Sequence, residues 1–225
     1  MGKQSVFNQN YIEFFIGLAQ NNHKDWMDAN RSTYLSAVKG PFEAFIDKLI
    51  AAFKEAYQLG DLTASECIFR LNRDIRFSKD KTPYKIQMSA LIKKGGKKNM
   101  NEPGLYLEIG PEFVNLYSGA YLPNPDQLEA IRHKMAQQPD LIESIINEKT
   151  FKTYFGKVLG ETSKRIPKEL KSAAINQPLL FHKQFYILHQ MDAELMLEST
   201  FFDSVQKVFK SAGPFNQFLY QLDTP

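Results

Sequence analysis

The stretch "LYLEIGPEFVNLYSGAY", residues 105–121, decides the fold class. Leu105, Leu107 and Ile109 alternate with Tyr106 and Glu108, Gly110-Pro111 interrupts, and "FVNLYSGAY" (113–121) resumes an extended pattern. A period of two with a short Gly-Pro break reads as two antiparallel strands, one face packed and the other more polar. The same period recurs upstream. In "YKIQMSALI" (84–92), Tyr84, Ile86, Met88 and Ala90 alternate with Lys85, Gln87 and Ser89. From Glu66 to Phe77, Cys67, Phe69, Leu71 and Ile75 fall opposite Ile68, Arg70, Asn72 and Asp74. These stretches predict a meander over about residues 66–122.

On both sides the period changes to that of a helix. Tyr11, Phe14, Phe15 and Leu18 follow helical spacing, with Asn8 or Asn10 as cap. A second helix is expected from about His23 to Val38, broken at Gly40-Pro41, with Pro41 in the first turn of a third. There Phe42, Phe45, Ile46, Leu49 and Phe53 form an apolar face. After the meander, "NPDQLEAIRHKMAQQ" and "PDLIESIINE" read as helices and residues 160–178 as loop. "QPLLFHKQFYIL" and "FFDSVQKVFKSAGPFNQFLYQL" read as helical again, the latter broken at Gly213-Pro214. The expectation is an α+β fold: an antiparallel sheet meander in the middle of the chain, packed by N-terminal and C-terminal helices. We expect one domain over 1–225, with helices at about 10–58, sheet at about 66–122 and helices at about 125–223.

Composition narrows the classes. The 43% hydrophobic and 13% aromatic content of 225 residues supports a large core. Cys67 is the only cysteine, which excludes an intrachain disulfide and a cysteine metal cluster. The four histidines lack HxxxH spacing, so no metal site is expected. No GxSxG, P-loop or dinucleotide glycine pattern specifies a reaction or cofactor. No secretory signal and no apolar run near 18 residues is found, so the expected setting is cytoplasmic, without membrane association.

Charge singles out one region. The chain holds 28 Lys and Arg against 25 Asp and Glu. Residues 70–98 hold ten cations and two acids, a balance of +8, leaving eighteen cations against twenty-three acids elsewhere, a balance of −5. Within "RLNRDIRFSKDKTPYK" (70–85), Lys79-Asp80-Lys81 followed by Thr82-Pro83 has turn chemistry, bringing Arg76 and Lys85 toward one hairpin end. Arg offers a planar donor fork and Lys a compact charge, suited to phosphate or carboxylate. The competing reading pairs Asp74 and Asp80 with their cationic neighbours to fix the turn. In "KKGGKK" (93–98), four lysines make either a cationic loop or the solvated lysines that keep sheets soluble. Asn22, Trp26, Asn30 and Tyr34 recur every four residues, a stripe that either stacks on a ligand or packs and caps. Glu108, Tyr106, Asn115 and Tyr117, with Arg70 and Lys85, are candidates for a polar sheet face.

The runs "FFIGLAQNNHKDWMDANRSTY", "RLNRDIRFSKDKTPYK", "PGLYLEI" and "YSGAYLP" resemble the conserved hypothetical family called domain of unknown function 2461. The resemblance spans roughly residues 11–185, and "RDIRFSKDKTPYK" is its most specific marker. It implies an intracellular single-domain protein and no established activity. Matching positions include Asn22, Trp26, Asn30, Tyr34, Arg73, Asp74, Arg76, Phe77, Asp80, Lys81, Tyr84, Lys85, Gly119 and Arg132. Tyr121 stands where the family tends to have Trp. After Pro167-Lys168, Glu169-Leu170 replaces a Gly-aromatic continuation.

Two functional readings follow. In the first, Arg73, Arg76, Lys81, Tyr84 and Lys85, with Trp26 and Asn30 nearby, bind a small phosphorylated or carboxylated ligand, nucleic acid ranking below it. In the second, the same segment is a salt-bridged scaffold of a structural or protein-interaction domain. Whether the chain is an enzyme, and its oligomeric state, are not specified by any motif.

Overall fold

The computed structural model describes residues 5–98 and 104–220. Pro103 of the "PGLYLEI" run and the helix end expected up to residue 223 lie outside them. The fold is α+β, with four strands in one antiparallel sheet of order β1-β2-β3-β4. By contact the chain divides into two compact units. One holds the residues up to Lys98 with Tyr106–Leu116 and Gln190–Gln206; the other holds Tyr117–His189 and the chain from Lys207 onward.

In the first unit, α1 (Gln9–Gln20) starts where the Asn8 side chain accepts the Asn10 N–H. It buries Tyr11, Phe14, Phe15 and Leu18. Helix α2 (Lys24–Ala29) and the short α3 (Arg31–Thr33) lead into a π turn at Tyr34–Lys39, then α4 (Gly40–Phe53). The expected break at Gly40-Pro41 is therefore a widened turn in a continuing helix. Proline has no N–H for the i−4 carbonyl, and the Gly40 N–H reaches Leu35 O, so the ladder shifts by one residue. Helix α4 buries Phe42, Phe45, Ile46, Leu49 and Phe53. Phe45 stacks on Phe201 at 5.1 Å, and Phe7 meets both rings. The Tyr11 hydroxyl donates to Ile109 O at 3.0 Å, tying α1 to β2.

The meander is shorter at its front than the alternation predicts. Residues 64–67 form α5 (Ala64–Cys67), because Thr63 and Glu66 make a capping box that favours a helical turn. Beyond it the chain pairs only at isolated bridges, Ile68 with Ala90 and Asn72 with Tyr84. The regular strands are β1 (Met88–Ile92), β2 (Gly104–Ile109) and β3 (Phe113–Ala120).

In the second unit, α6 (Pro125–Gln137), α7 (Pro139–Asn147) and α8 (Lys149–Tyr154) follow β3. Asn124 and Gln127 form a capping box at the start of α6. The 160–178 stretch, expected as loop, carries an isolated bridge from Thr162 to His182 and short 3-10 turns. The helix expected at "QPLLFHKQFYIL" is a correction: the segment is a 3-10 turn at Pro178–Phe181 followed by β4 (Phe185–Asp192). Its apolar residues fit either period over so short a run, and pairing decides between them. Phe185 and Ile187 are buried while Tyr186 and Leu188 are half-exposed, the alternation of a strand. Gly119 explains how β4 comes so close: at φ +111 its absent Cβ would lie 2.2 Å from Phe185 O. Helices α9 (Phe201–Ser211) and α10 (Gly213–Tyr220) complete the described chain, broken where Gly213-Pro214 predicts.

Candidate functional site

The basic segment is a hairpin in the first unit, laddered at its base and closed by side chains at its tip. The Phe69 N–H donates to Ser89 O, Lys85 N–H to Leu71 O and Arg73 N–H to Pro83 O, at 2.8–2.9 Å. Asn22 holds this hairpin to the α1–α2 connection: its Nδ2 donates to Tyr84 O, and the Tyr84 N–H donates to its Oδ1, both at 3.0 Å.

At the tip, Arg73, Arg76 and Lys81 each have an internal partner. Arg73 Nη1 donates to the Asp80 carboxylate, to the Thr82 hydroxyl and to Thr82 O. The Thr82 N–H donates to Asp80 Oδ1 at 2.9 Å, an Asx-type turn. The Thr82 N–H, then Arg73 and the Thr82 hydroxyl, pull Asp80 down to about 2. Arg76 grips Asp74 with two prongs, Nε to Oδ1 at 3.0 Å and Nη2 to Oδ2 at 2.7 Å. That contact holds the Asp74 carboxyl below its usual range. Lys81 Nζ donates to Ile75 O at 2.9 Å.

Lys85 differs. Half-buried, its ammonium lies 5.5 Å from the Phe69 ring centroid. It makes no hydrogen bond or ion pair among the described residues. Burial lowers its pKa, while Glu108 works against that shift. Glu108 accepts the Tyr106 hydroxyl at 2.8 Å and Asn115 Nδ2 at 3.4 Å. Arg70, Lys85, Tyr106, Glu108 and Asn115 thus belong to one unit, with Tyr106 edge-on to Phe69 at 6.0 Å. Tyr117 meets Tyr186 at 6.3 Å.

Trp26 and Asn30 are placed by helix packing. Trp26 lies 5.4 Å from the Phe14 ring and against Gly17, where an added Cβ would come 2.9 Å from Trp26 Cζ2. Asn30 Nδ2 donates to Trp26 O at 2.9 Å, closing α2. The aromatic stripe thus packs on α1, and it is Asn22 that reaches the hairpin. In the 93–98 run Lys93 is fully buried, and Lys97 Nζ donates to Ser65 O and Ile68 O at 2.6 and 2.7 Å. Lys93 is thus not solvated, and the half-exposed Lys97 serves the carbonyls at the end of α5.

Sequence reading missed the setting of Phe77. Its parity places it with Cys67, Phe69 and Ile75, yet it is 95% exposed at the hairpin tip. The Ser78 N–H donates to Ile75 O, so the chain turns before Phe77 can point inward. Arg76 Cζ lies 5.8 Å from its ring centroid. The legible signal was a single Phe beside strong turn formers.

Other chemistry is limited among the described residues. Burial pushes the Cys67 thiol up to about 12, so it stays protonated and unreactive at neutral pH. No group of three or more metal-ligating side chains is present among these residues, and none of their helices is long and apolar enough to cross a membrane.

The hairpin and strand pattern belong to a shared sequence family. Residues 10–218 match the family described as conserved hypothetical protein (DUF2461), and the chain belongs to that family. No curated protein matches it.

Proposed function

We propose that this is a protein-interaction domain in which the 68–90 hairpin is an ion-paired scaffold that presents Phe77 to a partner. The observation that carries the reading is the 95% exposure of Phe77 on a tip whose charged neighbours bond one another. An exposed aromatic held on an ordered turn loses little conformational freedom on docking, which favours its use as an anchor. Residues 70–85 carry six cations and two acids, so the complementary partner surface is an apolar pocket rimmed by carboxylates.

A photo-crosslinking amino acid at position 77 tests this in cells expressing the chain, with one at Ile175, 80% exposed, as control. A discrete crosslinked protein at 77, absent at 175 and weakened by Arg76→Glu, is the expected result. Equal labelling at both positions refutes the reading.

One observation favours the alternative of a small phosphorylated or carboxylated ligand. The Lys85 side chain is half-buried and its ammonium makes no hydrogen bond or ion pair among the described residues. Arg73, Arg76 and Lys81 would have to exchange internal partners to join it, with Tyr84 and, more distantly, Trp26 and Asn30 framing the site. Saturable phosphate binding at low salt that Lys85→Gln abolishes supports this alternative; binding unaffected by that change removes it.

A further inference from the structure

The other unit holds a buried cation of its own. Arg132 is on the inward side of α6 beside Ile131 and Met135 and is 7% exposed. A guanidinium has five N–H donors. Nη2 gives one to His182 O at 2.9 Å, whereas the Nε–H is buried without a partner. No carboxylate pairs with it among the described residues. Of the acids on its own helix, Asp126 and Glu129 are exposed, and Glu129 reaches His133 at 3.7 Å.

The neighbouring His182 is half-exposed, with one buried ring nitrogen. Its backbone is satisfied, the N–H by Leu179 O and the carbonyl by Arg132. Its ring lies over Phe185 at 6.0 Å and 25°, with Nδ1 buried and unpartnered. The position is held firmly by pairing with residues 159–163. The Lys183 N–H donates to Glu161 O and the Ser163 N–H to Phe181 O, both at 2.7 Å. Gly160, at φ +152, lets the strands approach, since a Cβ there would lie 2.1 Å from Gln184 O. The Arg132 Nε–H is therefore a buried donor without a partner, next to a half-exposed His182 whose Nδ1 is buried and whose ring also interacts with the backbone of Gln184 and Leu159.

A water molecule would satisfy the Nε–H but leave a full positive charge without a counter-charge in a buried setting, which is strongly unfavourable. An oxyanion supplies both the charge and the acceptor lone pairs, and guanidinium is the side chain best matched to it. We propose that Arg132 and His182 form a receptor for one small oxyanion, a carboxylate or a phosphate. Arg132 neutralises it, and His182 Nδ1 in its protonated tautomer donates to it.

The test follows the Arg132 Nε–H resonance of the full chain, labelled with 15N, during titration with sodium phosphate or sodium acetate. Sodium chloride holds ionic strength constant throughout. The expected result is a saturable shift with one or both oxyanions, and a melting temperature that rises with the same midpoint. The probe that saturates at lower concentration identifies the phosphate or carboxylate source. R132Q abolishes the rise, and H182F, which keeps the ring packing on Phe185, weakens affinity about tenfold or more. K149Q, at an exposed position of α8, leaves both readouts unchanged. A resonance that drifts linearly, or responds equally to chloride, overturns the proposal. So does a midpoint unchanged in H182F, the readout that decides if R132Q fails to fold.

Discussion

Asn22 shows how one side chain can hold a distant segment, because its amide pairs with both backbone groups of Tyr84, 62 residues away. Asn22→Ala leaves a part-buried N–H and carbonyl without those partners, which costs about 1–3 kcal/mol. Urea unfolding of the variant should show that loss with an unchanged slope. Phe77 predicts the opposite pattern: with the ring already in solvent, Phe77→Ala should not alter the melting temperature while removing partner capture. Arg76→Ala and Lys81→Ala should likewise leave the melting temperature largely intact, as both side chains are exposed. A large drop in both would make the tip a structural necessity. Of these residues, Arg76 and Lys81 were legible as chemistry in the sequence. The exposure of Phe77 was not legible, because alternation carries no information on where a turn interrupts it.

At the scale of the hairpin, acid titration should loosen the tip before the fold. Asp80 is lowered from 3.8 to about 2, so the folded state holds its proton more weakly than the unfolded chain. Its contribution is fully present above the unfolded value and is lost as pH falls through about 2. Asp74 is shifted the same way by Arg76, placing both turn contacts in one acidic window. Exchange protection of the Thr82 N–H should therefore persist at pH 5 and disappear between about pH 4 and pH 2. Protection that disappears above pH 5 would mean the carboxylates do not hold the turn. The π turn shows a comparable limit of sequence reading. Gly40-Pro41 correctly marks a disturbance, but whether a helix ends or widens depends on what its two halves pack against. Here Ala37, Val38, Phe42 and Phe45 are all buried, so both halves are retained.

Across the whole molecule, β4 depends on space left by Gly119. Gly119→Ala forces a Cβ to within 2.2 Å of Phe185 O at a φ that L side chains rarely adopt. The loss should be on the order of 4 kcal/mol or more, placing it among the severe single substitutions, measurable as a depressed denaturation midpoint. The sequence by itself determined the α+β class, the boundaries of α1, α6 and α7, the β2–β3 pair and the break between α9 and α10. It could do so because period, caps and Gly-Pro punctuation act over a few residues. Tertiary structure alone decided that "FHKQFYIL" leads into a strand, since a short apolar run satisfies both periods until a partner strand selects one. It also decided which charges are paired. Composition shows six cations in sixteen residues, but only the folded chain returns Asp74 and Asp80 to two of them at the tip and leaves Arg132 buried without a carboxylate partner among the described residues. Charge pairing depends on distances of a few ångströms between residues far apart in the chain, and no local pattern encodes those distances.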